Sequence, residues 1–183
     1  MRDERAKRSE WIDAVLAQHE RPLIRYALHL TGSLEMARDA VQETFLRLCS
    51  QSSAKVQDHI GPWLFAVCRT RALDALRRLK HLGGANLDEE QAGGDQPSGA
   101  SNPMEIAEQN EAIAQALQIL ATLSPNQQEV IRLRFEDGFS YQEISEVTGL
   151  SVTNVGFLIH SGLKTIRQRL QQQQETPMLR RVK

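Results

Sequence analysis

The chain has 183 residues, 40% of them hydrophobic and 25% charged, with a formal net charge of -1. That balance suits a globular chain with one or two small cores and excludes a collagen-like or wholly disordered polypeptide. No stretch approaches the roughly 18 apolar residues of a membrane span, and the charged opening Met1-Arg2-Asp3-Glu4-Arg5 lacks the apolar run of a secretory signal. A cytoplasmic location is therefore expected.

In chain order the periodicity is helical from the start. Trp11, Ile12, Val15, Leu16 and His19 mark one face of a first helix; Pro22 is expected to open a second through Leu23, Ala27 and Leu30, ended by Gly32. Ser33 is placed to cap a helix from Leu34 to about Cys49, with Ala37, Val41, Phe45 and Leu48 as its apolar stripe. Pro62, at a first-turn position, starts a helix carrying Leu64, Val67, Cys68, Ala75, Leu76 and Leu79. Cys49 and Cys68 sit among apolar helical neighbours without metal-ligand spacing, and read as buried thiols.

The next stretch changes character. From Gly83 to Gly99 the chain is rich in Gly, acids and turn formers, with too little apolar surface to offset the entropy of ordering, which predicts a flexible linker over 83–104. Beyond it, a helix over 105–122 carries Ile106, Ile113, Leu117 and Leu120. Ser124-Pro125-Asn126-Gln127 supplies a cap, a first-position proline and a capping-box Gln before Val130, Ile131, Leu133 and Phe135; Asp137-Gly138 stops that helix. Ser140-Tyr141-Gln142-Glu143 is a second capping box, Gly149 closes its short helix, and Ser151 caps a last helix toward Leu170. Gln171-Gln172-Gln173-Gln174 and the basic end Arg180-Arg181-Val182-Lys183 read as a disordered tail, 171–183.

No segment alternates with period two over a strand's length. The expected fold is all-α: two small helical domains, 1–82 and 105–170, joined by a flexible acidic linker. Charge follows the same division. Residues 1–82 carry 14 Lys/Arg against 10 Asp/Glu, residues 83–120 none against 7, and residues 121–183 carry 8 against 6. Two mildly basic halves flank an acidic middle, so the whole-chain charge does not argue against nucleic acid.

Residues 141–160 have the spacing of a helix-turn-helix. Ser145 is small where two helices cross, Gly149 supplies a left-handed turn, and Ile144, Leu150, Val155 and Leu158 fill the wedge. Such a unit projects its second helix toward a DNA major groove. A helical hairpin without DNA contact is the plainer alternative.

Both halves together resemble extracytoplasmic-function sigma factors of the sigma-70 family. Asp39-Ala40-Val41-Gln42-Glu43-Thr44-Phe45-Leu46-Arg47-Leu48 is similar to the region 2 helix that grips the polymerase clamp. Trp63-Leu64-Phe65-Ala66-Val67-Cys68-Arg69 with Asp74-Ala75-Leu76-Arg77-Arg78 is similar to the next helix, beside the melted minus-ten element. Leu123-Ser124-Pro125, Val130-Ile131-Arg132-Leu133-Arg134-Phe135 and Gly138-Phe139-Ser140-Tyr141-Gln142-Glu143-Ile144 resemble the start of region 4.

The resemblance implies a sigma factor that directs core RNA polymerase, through its clamp and flap, to promoter DNA, with an anti-sigma factor or other regulator as a further partner. It implies core-polymerase contacts at Asp39, Gln42, Glu43, Phe45 and Arg47. Minus-ten contacts fall on Lys55 and Gln57 of the loop Gln51–His59 and on Trp63, Arg69, Arg71, Arg77 and Arg78. Trp63 also reads as an ordinary core residue. Minus-thirty-five contacts fall on Ser151, Thr153, Asn154, Phe157, His160 and Lys164, with Phe157 off the apolar stripe and exposed.

Two departures from the family pattern matter. Many members carry an acidic pair where this chain has Arg38-Asp39, so docking on a basic clamp is expected to be weak or conditional. The recognition helix has Gly156, Leu158, Ser161 and Leu163 where the family usually places Lys or Arg, leaving Lys164, Arg167 and Arg169. Fewer cations release fewer counterions and give a weaker, less salt-sensitive complex. A stand-alone helix-turn-helix regulator, which leaves the region 2 resemblance unused, and a helical adaptor that has lost DNA binding remain the alternatives. The five histidines are scattered without ligand spacing, and neither a phosphate loop nor a nucleophile motif is present; no enzymatic activity, metal or cofactor is expected.

Overall fold

The computed structural model describes residues 2–51, 57–82 and 113–179, with side chains described over 6–51, 57–81 and 113–172. Lys55, the expected linker 83–104, the beginning of the helix expected over 105–122 and the basic end 180–183 lie outside the described residues. The chain divides into two compact units. Within the described residues every regular element is helical.

The N-terminal unit is built on α1 (Arg2–Thr31), α2 (Leu34–Ser50) and α3 (Ile60–Leu82), each packed against the other two, with a short 3-10 turn, Gln57–His59, before α3. One expectation fails here: α1 is a single helix, with Pro22 inside it. A mid-helix proline costs about 3 kcal/mol. Val15, Leu23, Tyr26 and Ala27 are all buried, and these positions fall on one face only if the helical register runs unbroken through Pro22. Burying side chains such as Val15 and Leu23 contributes about 1.5–3 kcal/mol each, and with Tyr26 and Ala27 added this outweighs the break.

Gly32, at φ +67, ends α1, and Ser33 caps α2 by accepting from the Met36 amide. The buried stripe of α2 is Ala37, Ala40, Val41, Thr44, Phe45 and Leu48, and the Thr44 hydroxyl donates to the Ala40 carbonyl at 2.7 Å. Leu64, Phe65, Cys68 and Ala72 of α3 complete the core, where the Phe65 and Tyr26 rings lie 5.0 Å apart. Cys68 is buried as expected, but Cys49 is exposed. It follows Leu48 by one residue, about 100° around the helix, and so leaves the stripe.

The C-terminal helices are α4 (residues 113–121), α5 (Pro125–Phe135), α6 (Tyr141–Thr148) and α7 (Val152–Leu179). Their starts are the local devices legible in the sequence. Ser124 and Gln127 form a reciprocal capping box at α5. Ser140 and Glu143 do the same at α6, the Ser140 amide donating to Glu143 Oε2 at 2.7 Å. Gly138 at φ +77 and Gly149 at φ +75 hold the two turns. Leu120, Leu123 and Ile131 form one core cluster, with Leu117 and Ile166 packed on it. α7 runs past the expected end near Leu170 to Leu179, so residues 171–179 are helical rather than the expected disordered tail. The glutamines at 171–174 are fair helix formers, and the helix continues across Pro177.

Candidate functional site

The helix-turn-helix is held by a few specific contacts. Ser145 Oγ donates to the Leu150 carbonyl at 2.6 Å, pinning the turn around Gly149. Ser151 caps α7: its Oγ accepts from the Asn154 amide at 3.2 Å and its carbonyl from the Val155 amide at 2.9 Å. Ile144 and Val155 are fully buried in the wedge, and Leu150 and Leu158 are partly buried.

α7 is seated on α5 at Gly162. A Cβ on Gly162 would lie 2.6 Å from Ile131 Cδ1 and 3.3 Å from Leu123 Cδ1, so the missing side chain lets α7 approach α5 closely. Gln127 Nε2 donates to Ser161 Oγ at 3.0 Å across the same contact. At Gly156 a Cβ would touch the Tyr141 ring at 3.5 Å.

With Val155, Ile159 and Gly162 turned inward, Thr153, Asn154, Phe157, His160 and Lys164 are all exposed. Positions 153, 157, 160 and 164 recur at helical spacing, so the residues expected to read DNA share one solvent-facing side. Phe157, at its centre, is 68% exposed. Ser151 differs from them, because its hydroxyl is engaged as the helix cap. A pair that sequence reasoning missed flanks this side at the start of α6. The Arg134 guanidinium lies 5.6 Å from the Tyr141 ring centre and donates to the Phe139 carbonyl at 2.9 Å. No local spacing rule pairs a residue late in α5 with one early in α6.

In the N-terminal unit, Asp39, Gln42, Glu43 and Arg47 are exposed on α2. Phe45 is 8% exposed and sits on the buried stripe, so it is not presented to a partner; Leu46, 62% exposed, is the apolar side chain on the outer face. Arg71 Nε pairs with Glu43 Oε2 at 3.3 Å, and Arg77 Nη1 with Asp74 Oδ1 at 2.8 Å. Asp39, Glu43, Arg71, Asp74, Arg78 and Leu79 line one groove between α2 and α3. Residues assigned from the sequence to two different partners therefore meet on one surface. Both ion pairs are solvent-accessible, and such pairs are worth about 0–1 kcal/mol, little enough to be exchanged on docking. Trp63 and Arg69 are partly buried; Gln57 is exposed in the 3-10 turn.

Burial pushes the Cys68 thiol up to about 12, against a smaller lowering by its hydrogen bond with Thr44, so it is an inert core group. Burial also lowers the His19 imidazole. Among the described residues no cluster of His, Cys, Asp and Glu is placed to hold a metal ion, and no helix is long and apolar enough to cross a membrane.

The chain is similar to known proteins along most of its length. The family profile for Sigma-70 region 2 matches residues 15–81, and that for Sigma-70, region 4 matches residues 113–166. The chain is 30% identical over 167 residues to the ECF RNA polymerase sigma factor SigL of Mycobacterium tuberculosis, covering 87% of this chain and 88% of the relative. It is 26% identical over 159 residues to the ECF RNA polymerase sigma factor SigM of Bacillus subtilis, covering 87% and 92%. Among solved structures, the sigma factor RpoE of Bartonella quintana, co-crystallised with the anti-sigma factor NepR, shares the fold. The TM-score is 0.62 at 19% identity, over 85% of this chain and 94% of that one. A stand-alone helix-turn-helix regulator accounts only for the region 4 match and leaves the region 2 match unexplained. The chain belongs to the extracytoplasmic-function sigma factors of the sigma-70 family, which direct RNA polymerase to promoters.

Proposed function

We propose that the two surfaces divide the work of initiation between polymerase and promoter. The outer face of α2, with Asp39, Gln42, Glu43, Leu46 and Arg47, docks on the clamp of core polymerase. Trp63, Arg69, Arg71, Arg77 and Arg78 of α3, with Lys55 and Gln57 before it, take the minus-ten strand. α7 enters the major groove of the minus-thirty-five element through Thr153, Asn154, Phe157 and His160, with Lys164 on a phosphate, while the C-terminal unit meets the flap. The observation that carries this reading is the exposed side of α7 with Thr153, Asn154, Phe157, His160 and Lys164, on a helix-turn-helix whose inner side buries Val155, Ile159 and Gly162.

The α2–α3 groove adds a feature. Glu43 is bridged to Arg71 in the free protein, so docking on a basic clamp surface exchanges one cation partner for another and releases Arg71 toward nucleic acid. An anti-sigma factor is a third partner in this reading, supported by the complex with NepR in which the structural neighbour RpoE was crystallised. The protein acts in the cytoplasm, where polymerase meets the chromosome, and contributes no catalytic group of its own.

Two variants test the division. Glu43→Ala is expected to weaken binding to core polymerase while leaving the isolated protein folded, since Glu43 is exposed. Asn154→Ala is expected to leave core affinity intact and to reduce only minus-thirty-five-dependent transcription. If Asn154→Ala weakened core binding and Glu43→Ala did not, the assignment would be reversed.

A further inference from the structure

The exposed side of α7 has an unusual chemistry for a helix that reads DNA. From Val152 to Leu163 it holds neither Lys nor Arg. Its first cation, Lys164, lies seven residues beyond Phe157, roughly 10 Å along the axis at 1.5 Å per residue. A major groove is about 12 Å wide, so Lys164 reaches the groove wall and its phosphates when Phe157 lies over the bases. The guanidinium that reads guanine O6 and N7 is therefore missing from the part of the helix that enters the groove.

What stands there instead is an aromatic ring in water. Phe157 is 68% exposed at the centre of the face, one turn after Thr153 and next to the exposed Asn154 and His160. In the major groove the apolar feature a base pair offers is the C5-methyl group of thymine; a carboxamide such as that of Asn154 matches adenine N6 and N7. The two belong to the same kind of base pair. Packing inside the unit does not account for the ring: the inward residues are Val155, Ile159 and Gly162, and Phe157 stands on the opposite, solvent-facing side of the helix.

We propose that α7 reads A·T base pairs in the minus-thirty-five element, with Phe157 packed on a thymine methyl and Asn154 on adenine. This rests on the promoter-reading role of α7 and names its target. Affinity in such a contact comes from burying apolar surface, so it varies less with salt than a contact made by cations.

The test uses holoenzyme assembled from the full chain and core polymerase. Promoters are selected from a library randomised over the minus-thirty-five element, and each selected thymine is then replaced by uracil, which removes only the methyl group. The expected result is an element rich in A and T, at least one position where uracil weakens binding about fourfold, the value of one buried methyl, and loss of that sensitivity in Phe157→Ala. Selection of a G·C element, binding indifferent to uracil, or a Phe157→Ala variant that keeps the sensitivity overturns the inference while start-site-specific transcription still upholds the promoter-reading role. Absence of any core-dependent transcript overturns both.

Discussion

The two glycines of the recognition helix give a prediction whose sign differs between neighbouring turns. In a helix interior, Gly→Ala stabilises by about 0.8–1 kcal/mol through propensity alone. At Gly156 the new Cβ meets the Tyr141 ring at 3.5 Å, an ordinary contact, so Gly156→Ala is expected to keep that gain. At Gly162 the Cβ would fall 2.6 Å from Ile131 Cδ1 and 3.3 Å from Leu123 Cδ1. The first is about 1 Å inside the usual carbon–carbon separation of 3.5–4.0 Å. Ile131 is 5% exposed among Leu120, Leu123, Leu117 and Ile166, so its methyl has little room to turn away. Overpacking of this kind costs about 1–3 kcal/mol, which exceeds the propensity gain and leaves Gly162→Ala destabilised by about 1 kcal/mol. For a unit of this size that is a fall in Tm of about 4–8 °C, against a rise of similar size for Gly156→Ala. Thermal unfolding followed by helical circular dichroism measures the difference. Tryptophan fluorescence serves as the internal control, because Trp11 and Trp63 both lie in the N-terminal unit and their transition should not move. Equal or greater stability of Gly162→Ala relative to Gly156→Ala would refute the seating of α7 on α5 through Gly162.

Three further predictions concern charge and titration in the N-terminal unit. Arg38 is exposed beside Asp39 on α2; exposed charge contacts are worth about 0.2–1 kcal/mol, so Arg38→Glu should tighten core-polymerase binding by up to about fivefold, and unchanged affinity contradicts the expected weak docking. Alkylation of the native protein should modify Cys49, which is exposed, and spare Cys68, which is buried with its thiol near 12; two modified thiols in the folded chain would place Cys68 wrongly. His19 is held below its ordinary value of 6.5 by burial, so the unfolded chain binds its proton first. Its contribution to stability is present above about 6.5 and declines as the pH falls from there through the lowered folded value. Replacement by Gln should flatten the stability profile of the N-terminal unit in that window; a profile as steep as that of the native protein contradicts this.

Local signals carry much of the fold. The capping boxes at Ser124 and Ser140, the cap at Ser33, and the turns at Gly32, Gly138 and Gly149 each depend on residues within a few positions of one another, and each appears where the sequence places it. Pro22 misleads because its local cost opposes a tertiary gain, the burial of Leu23, Tyr26 and Ala27 against two other helices. Phe45 shows a conflict between two kinds of reasoning. Periodicity sets it on the apolar stripe of α2, whereas the family resemblance sets it at the polymerase; its burial agrees with the stripe, and Leu46 is the exposed neighbour. Cys49 errs the other way, an apolar residue one position off the stripe.

The exposed side of α7 is legible in part, since Thr153, Asn154, Phe157, His160 and Lys164 lie off the apolar stripe of Val155, Leu158, Ile159, Leu163 and Ile166, whereas the close seating of Gly162 on Ile131 is a contact between helices that residue order does not show. The Glu43–Arg71 bridge and the stacking of Arg134 on Tyr141 are not legible, because each joins different helices. They set which cations are free to meet an anion, and residue order by itself is silent on that.

The most direct measurement is run-off transcription from a library of promoter fragments, with the full chain added to purified bacterial core polymerase. A sigma factor built in this way should yield transcripts that depend on both components, begin at defined positions, and share two upstream elements at a fixed separation. Stable binding of the protein alone to a palindromic duplex as a dimer, with no transcript and no association with core polymerase, would contradict it.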